Sequence, residues 1–148
     1  MDAITAALEH CINLLRDAGG WRRTGRIESL ARYMEQPNAA DLPAAFVFLA
    51  GSDPKSDNSS TARIRQVLEV RISVAIITGT ARPGPELLQD NDSARQAAID
   101  ALGGKRPPTL EKQLLLGPGA QRQVTAGAVA YEQQFTSQLT VNFPRTTP

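Results

Sequence analysis

One cysteine, Cys11, leaves no partner for an intrachain disulfide, and one histidine, His10, leaves too few soft ligands for a zinc site. Aromatic residues are only 5% of the chain, and the formal net charge of +1 gives no long-range field to draw a nucleic acid or an acidic membrane surface. The longest apolar run, "PAAFVFLAG" from Pro43 to Gly51, falls far short of the roughly 18 residues that span a bilayer. No basic-then-apolar leader opens the chain, so a soluble product made inside the cell is the expectation, with no membrane partner. Internal repeats, coiled-coil heptads and low-complexity tracts are missing too, which excludes solenoids and fibrous architectures.

What is there is ordinary globular composition, 41% hydrophobic and 21% charged over 148 residues, which predicts one domain, 1–148, burying roughly 70% of its unfolded surface. Ile4, Leu8, Cys11, Ile12 and Leu15 recur at helical spacing over Asp2 to Arg16, and "AGG" stops that helix. "WRRTGR" is too short to classify, and "IESLARYME" reads as two helical turns ended by Pro37. Pro43 to Ala50 reads as a strand apolar on both faces, hence central in its sheet. Gly51 to Thr61, "GSDPKSDNSST", holds no apolar residue and many turn formers, so a mobile loop over 51–61 is expected. A second main helix closes on Gly103 and starts either at Pro85 or at Asn91–Asp92. After the "KRPP" loop come a short strand "QLLLG", a "PGA" turn, a strand at "QRQVT" and a Gly127 turn. The order predicts an α+β fold: a mostly antiparallel, mixed sheet with two main helices on one face.

Two segments alternate for unusually long. In "ARIRQVLEVRISVAIITG", Ile64, Leu68, Val70, Ile72, Val74 and Ile76 face one way and Arg65, Glu69, Arg71 and Ser73 the other. In "AVAYEQQFTSQLTVNF", Val129, Tyr131, Phe135, Leu139, Val141 and Phe143 oppose Glu132, Gln134, Thr136, Gln138, Thr140 and Asn142. Sixteen extended residues reach roughly 50 Å, while a compact chain of this length is about 38 Å across. Long strands extending as a β-ribbon follow, unless a bend or bulge near Gln133 or Ser137 splits the last one. A short flexible tail, 144–148, ends the chain.

Motifs that resemble chemistry have plainer readings. Cys11 lies on the apolar stripe of the first helix and His10 does not, so the pair is a core thiol beside a surface imidazole. "GGKRPP" ends a helix, whereas a phosphate loop opens one. "GPGAQR" lacks the Lys-Ser/Thr of a nucleotide site and reads as a hairpin turn. Asp53, Lys55, Asp57 and Ser59 space like a calcium loop, but Lys55 stands at a ligand position, and Asn58 and Ile64 replace the required glycine and glutamate. Trp21, Arg22, Arg23 and Arg26 form the best basic-aromatic cluster, which in a near-neutral chain reads as a solvated edge. No acid pair, triad or cofactor fingerprint is present, so neither an enzyme nor a bound cofactor or metal is expected.

Long strands without chemistry point to contact with other copies or partners. The candidate contact residues are Arg65, Glu69, Arg71, Gln134, Thr136, Gln138 and Thr140, whose uncharged members hydrogen-bond across an interface without the desolvation cost of full charges. Asp53, Lys55, Asp57 and Asn58 are the candidate contacts of the loop. "LPAAFVFLAG", the polar stretch after it, "QVLEVRISVAIIT", "ARQAAIDALGGKRPP", "LLLGPGA" and "YEQQFTSQLTVNF", in that order, resemble the tail-terminator proteins of long-tailed bacteriophages. That resemblance implies an α+β virion subunit, made in the host cytoplasm, that closes as a homohexameric ring on the head-proximal end of the tail. It further implies contacts with the tail tube protein and the neck or head connector, and genome DNA passing through the lumen without sequence-specific binding. Another ring-forming tail-tube or connector subunit, or a small ligand- or nucleic-acid-binding α+β module, are the competing readings.

Overall fold

A computed structural model describes residues 2–59, 63–81, 83–125 and 127–144. The first helix, α1 (Ala3–Ala18), starts where the Asp2 carboxylate accepts a hydrogen bond from the Thr5 backbone N–H. It stops at Gly19, whose φ of 79° suits a residue without a side chain. Its stripe of Ala7, Leu8, Cys11, Ile12 and Leu15 is buried, each large member contributing about 1.5–3 kcal/mol. "WRRTGR" yields a short strand, β1 (Arg23–Arg26), and Ser29 caps α2 (Leu30–Glu35).

Three long strands follow: β2 (Ala44–Ser59), β3 (Arg63–Gly79) and, after α3 (Asn91–Leu102) and β4 (Leu115–Thr125), β5 (Ala128–Pro144). The sheet order is β1-β2-β3-β5-β4, with β1 parallel to β2 and the other pairings antiparallel. The fold is therefore α+β with a mixed, mostly antiparallel sheet, as expected. β3 and β5 pair without a register shift from Arg63 opposite Pro144 to Gly79 opposite Ala128, so no bulge breaks β5 against its central neighbour. The bulges sit instead in β2, between Leu49 and Gly51 and between Pro54 and Ser56, and in β4, between Leu116 and Gly119 and between Gln121 and Gln123.

Several local expectations need correction. The stretch from Gly51 reads as a loop because it is polar, yet through Ser59 it is the outer half of β2, its backbone paired to β3 down to Ser59 opposite Ile64. Ladder hydrogen bonds from a committed neighbour override weak strand propensity. Ser60 and Thr61, the end of that expected loop, lie outside the described residues, as does the tail beyond Pro144. α3 begins at Asn91, where Asp90 accepts from the Ser93 N–H, and not at Pro85. "GPG" is no turn: Gly117, Pro118 and Gly119 lie within β4, an edge strand that tolerates proline and bulges.

α1 and α3 cover one face, closing a core of Ala45, Val47, Val70, Ile72, Val74, Ile76 and Phe135. Ala94 and Ala98 let α3 approach closely, and the Arg95 guanidinium stacks 4.4 Å from the Tyr131 ring centroid. α2 alone covers the opposite face, Leu30 and Met34 packing with Ala44, Phe46, Ala75, Ile77, Ala128 and Ala130. Neither core reaches Ile64, Leu68, Val141 or Phe143, the last of which is 40% exposed. The outer parts of β2, β3 and β5 thus form a three-stranded ribbon beyond the helices.

Gln133 and Ser137, the polar interruptions of β5's apolar face, are buried and fully used. Gln133 Nε2 donates to the carbonyls of Gly117 at 2.9 Å and Gln134 at 3.0 Å, and Ser137 Oγ donates to the Lys112 carbonyl at 2.7 Å. They satisfy backbone groups that the bulged β4 and its lead-in segment leave off the ladder. Gln133→Leu is expected to lower unfolding free energy by about 1–3 kcal/mol, since part-buried carbonyls lose their donor; urea denaturation reads it, and an unchanged midpoint would mean that water replaces the amide.

Burial pushes the Cys11 thiol up to about 12 from an ordinary 9.0. Its neutral form therefore stabilises the fold fully below pH 9, and that contribution is lost progressively between pH 9 and 12, as the unfolded chain gives up a proton that the folded one keeps. Stability measured from pH 8 to 10 is expected to fall more steeply for the native chain than for Cys11→Ala, by about 1.4 kcal/mol per pH unit at most; parallel profiles would show that the buried thiol ionises normally.

Candidate assembly surface

Alternation along β3 and β5 gathers the sequence-predicted contact residues on the face that α2 leaves open. Arg71 lies opposite Thr136, Glu69 opposite Gln138, Val67 opposite Thr140 and Ser73 opposite Gln134, with Arg65 one step further out opposite Asn142. All seven candidates from β3 and β5 thus share one continuous surface.

The outer half of β2 brings two of the four loop candidates into that surface. Asp53 is in register with Glu69, and its carboxylate forms an ion pair with Arg71 Nη2 at 3.1 Å. Lys55 Nζ stands 3.8 Å from Glu69 Oε2. Asp57 and Asn58 pair by backbone register with Gln66 and Arg65. Further in, Ser73 Oγ donates to Glu132 Oε1 at 2.8 Å, and Gln134 Nε2 reaches the same oxygen at 3.5 Å.

Gly51 makes the Arg71 arrangement possible. A Cβ there would lie 2.5 Å from Arg71 Nη2, so the guanidinium rests across β2 in space that only glycine leaves. The two ion pairs are solvated, with side-chain exposures of 35% and 60% for Arg71 and Asp53, and 53% and 37% for Lys55 and Glu69. Such pairs contribute about 0–1 kcal/mol each. Their consequence is chemical: four of the charges on this densely polar face, Asp53, Arg71, Lys55 and Glu69, are matched in pairs, so covering them costs less than covering free ions. Arg71 Nε and Thr140 Oγ1 are shielded from water and have no hydrogen-bond partner among the described residues.

At the β4 end this face opens into a cavity of about 290 Å³ lined by Lys55, Glu69, Lys112, Leu115, Thr136 and Gln138. Leu115 stands 61% exposed beside it and Leu116, opposite Phe135 on the other face, is 59% exposed, features that sequence reading passed over. Of the leucine run Leu114 alone is buried, since β4 begins after it and is an edge strand that the helix layer does not cover at this end.

Other candidates do not form sites. Cys11 is sealed in the core, and among the described residues no three His, Cys, Asp or Glu side chains group as a metal site. The basic-aromatic cluster is dispersed: Trp21 packs against the main core, and Arg23 pairs with Asp41 at 3.3 Å. Among the described residues no helix is long and apolar enough to cross a membrane. Gly51→Ala is expected to displace the Arg71 guanidinium and break its pair with Asp53 while changing stability by no more than about 1 kcal/mol; the Arg71 Nε–H resonance and a urea titration read both, and an unmoved resonance would contradict the assigned packing.

A model of the family described as "Phage tail terminator protein" matches residues 1–145. Among solved structures, a chain from the virion of a native gene transfer agent particle is 21% identical, with a TM-score of 0.48 and coverage of 92% of this chain and 93% of that one. No curated protein sequence matches.

Proposed function

From the membership of this chain in the phage tail terminator family, we infer that it closes as a six-membered ring on the head-proximal end of the tail tube. The chain is a structural protein of the virion tail. In the inferred role the ring ends tube polymerisation and presents the joining surface to the neck or head connector. Genome DNA passes through its lumen without sequence-specific contact, in keeping with the near-neutral charge of the chain.

The observation that carries this reading is the open polar face of the β3–β5 ribbon. Two ion pairs form on it within the chain, it extends past both cores, and it holds shielded polar atoms without partners among the described residues. A surface of that kind suits burial against protein better than capture of a small charged ligand.

Purified chain added below stoichiometry to polymerising tail tube protein is expected to shorten the tubes and to appear by electron microscopy as a ring at one end. Incorporation along the whole tube would instead identify a tube subunit, and unaltered tube lengths would overturn capping. Thr136→Glu is expected to keep the circular dichroism spectrum, costing within about 0.5 kcal/mol in the free subunit. It would also abolish the ring, because each contact would bury an unpaired carboxylate at about 2–5 kcal/mol. A mutant that caps normally would remove this face from the contact.

A further inference from the structure

Among the described residues, open sheet edges occur on β1, on β2 beyond Val47, on β4 and at the outer end of β5. All but the last carry obstacles to strand pairing. β1 is four residues long with an arginine at each end. The open part of β2 has bulges, Pro54 and the charges of Asp53 and Lys55. β4 has bulges and Pro118. Short length, charge, proline and bulges are the devices by which proteins keep a foreign strand from adding to a sheet.

The outer end of β5 has none of them. The Glu111 N–H donates to the Gln138 carbonyl at 2.8 Å, and past that bond nothing among the described residues pairs with β5 on the side away from β3. Backbone groups point alternately to either side of a strand, so Thr140 and Asn142 aim their N–H and C=O the same way as Gln138. No backbone hydrogen bond among the described residues meets them there. "LTVNF", Leu139 to Phe143, holds no proline and no charge, and it pairs with β3 without a bulge. Thr140, Val141 and Phe143 are strong strand formers. Five residues are an ordinary strand length, enough for a second strand to pair.

Side chains beside this edge specify what fits it. Leu139, Val141 and Phe143 share the face that bears Phe135, and Phe143 is 40% exposed. Thr140 and Asn142 share the polar face, where Thr140 Oγ1 is shielded from water with no partner among the described residues. An added strand would lay apolar side chains along Leu139, Val141 and Phe143. On the other face it would bring a hydroxyl or amide side chain opposite Thr140, with Cβ atoms about 5 Å apart, within reach of the orphaned Oγ1. This chain has no such segment to give: its other edges are obstructed, and "PRTTP", residues 144–148, begins and ends in proline. β5 against β5 of a second copy would be a two-fold contact that closes at a dimer.

We propose that β5 from Leu139 to Phe143 accepts an extended segment of a different tail protein as an added strand. Over the pairing residues that segment alternates apolar side chains with Ser, Thr, Asn or Gln and holds neither charge nor proline. Main-chain hydrogen bonds to Thr140 and Asn142 supply the affinity, and the alternation supplies the specificity. This contact goes beyond the ring reading above and does not depend on it.

Hydrogen exchange at the Thr140 and Asn142 amides reads the contact in three samples of the full chain: dilute, concentrated alone, and in complete tails. In the first two, both amides are expected to exchange faster than that of Val141, whose N–H faces β3. In tails they are expected to slow about a hundredfold or more. A photo-crosslinking amino acid in place of Asn142 is expected to label a different tail protein. Thr140→Pro removes an N–H on the open side of the strand, where proline is tolerated. It is expected to keep the circular dichroism spectrum and to lower incorporation into tails about tenfold. Unslowed exchange in tails would overturn the proposal, and so would normal incorporation of a folded Thr140→Pro. Slowed exchange in the concentrated chain, or labelling of another copy, would overturn it in favour of self-pairing. Should the proline variant misfold, the exchange and labelling results decide alone. Ring closure is read separately by tube capping, so either conclusion can fail without the other.

Discussion

β3 and β5 pair through seventeen positions without a shift, and the rest of the molecule is arranged around that pair. Each ladder step ties a residue on one strand to a fixed partner on the other, and a slip by one would turn every apolar side chain to the wrong face. The inner half cannot slip, because Val70, Ile72, Val74, Ile76 and Phe135 are locked under α1 and α3. The outer half inherits that register. This is how a ribbon with no helix of its own keeps Arg71 beside Thr136 and Glu69 beside Gln138.

Strain is displaced to the flanks. β2 and β4 carry the bulges, and they also carry the prolines, Pro54 and Pro118, whose missing N–H groups a central strand could not spare. Bulging leaves backbone groups off the ladder, and the buried polar residues Gln133 and Ser137 take them up. Gly119 belongs to the same device, since a Cβ there would collide with the Gln133 and Tyr131 side chains. An irregular edge is also a poor template for indiscriminate strand pairing.

The two faces divide the labour of the sheet. One is closed by α1 and α3 and supplies most of the hydrophobic stabilisation; the other is closed by α2 only at its inner end. What remains open is polar, crossed by the Asp53–Arg71 and Lys55–Glu69 pairs, and rigidly spaced. A half-covered long sheet closes its own core on one side while leaving a polar surface of fixed spacing open on the other.

Periodicity in the sequence by itself determined the α+β class, α1, the helix end at Gly103, the length of β3, and the single polar face of Arg65, Glu69, Arg71, Gln134, Thr136, Gln138 and Thr140, while the unbroken run of β5 past Gln133 and Ser137 was settled by its pairing with β3. These are local matters: side-chain direction follows from spacing of two or 3.6 along the chain. The tertiary structure alone decided that the polar stretch after Gly51 is a strand, that "GPG" is a bulge, that α2 lies on the opposite face, and that Asp53 and Lys55 join β3's charges. Each of those depends on a neighbour distant in sequence. A backbone with little preference of its own takes the conformation that its ladder partner pairs with, and no pattern within the segment records that partner.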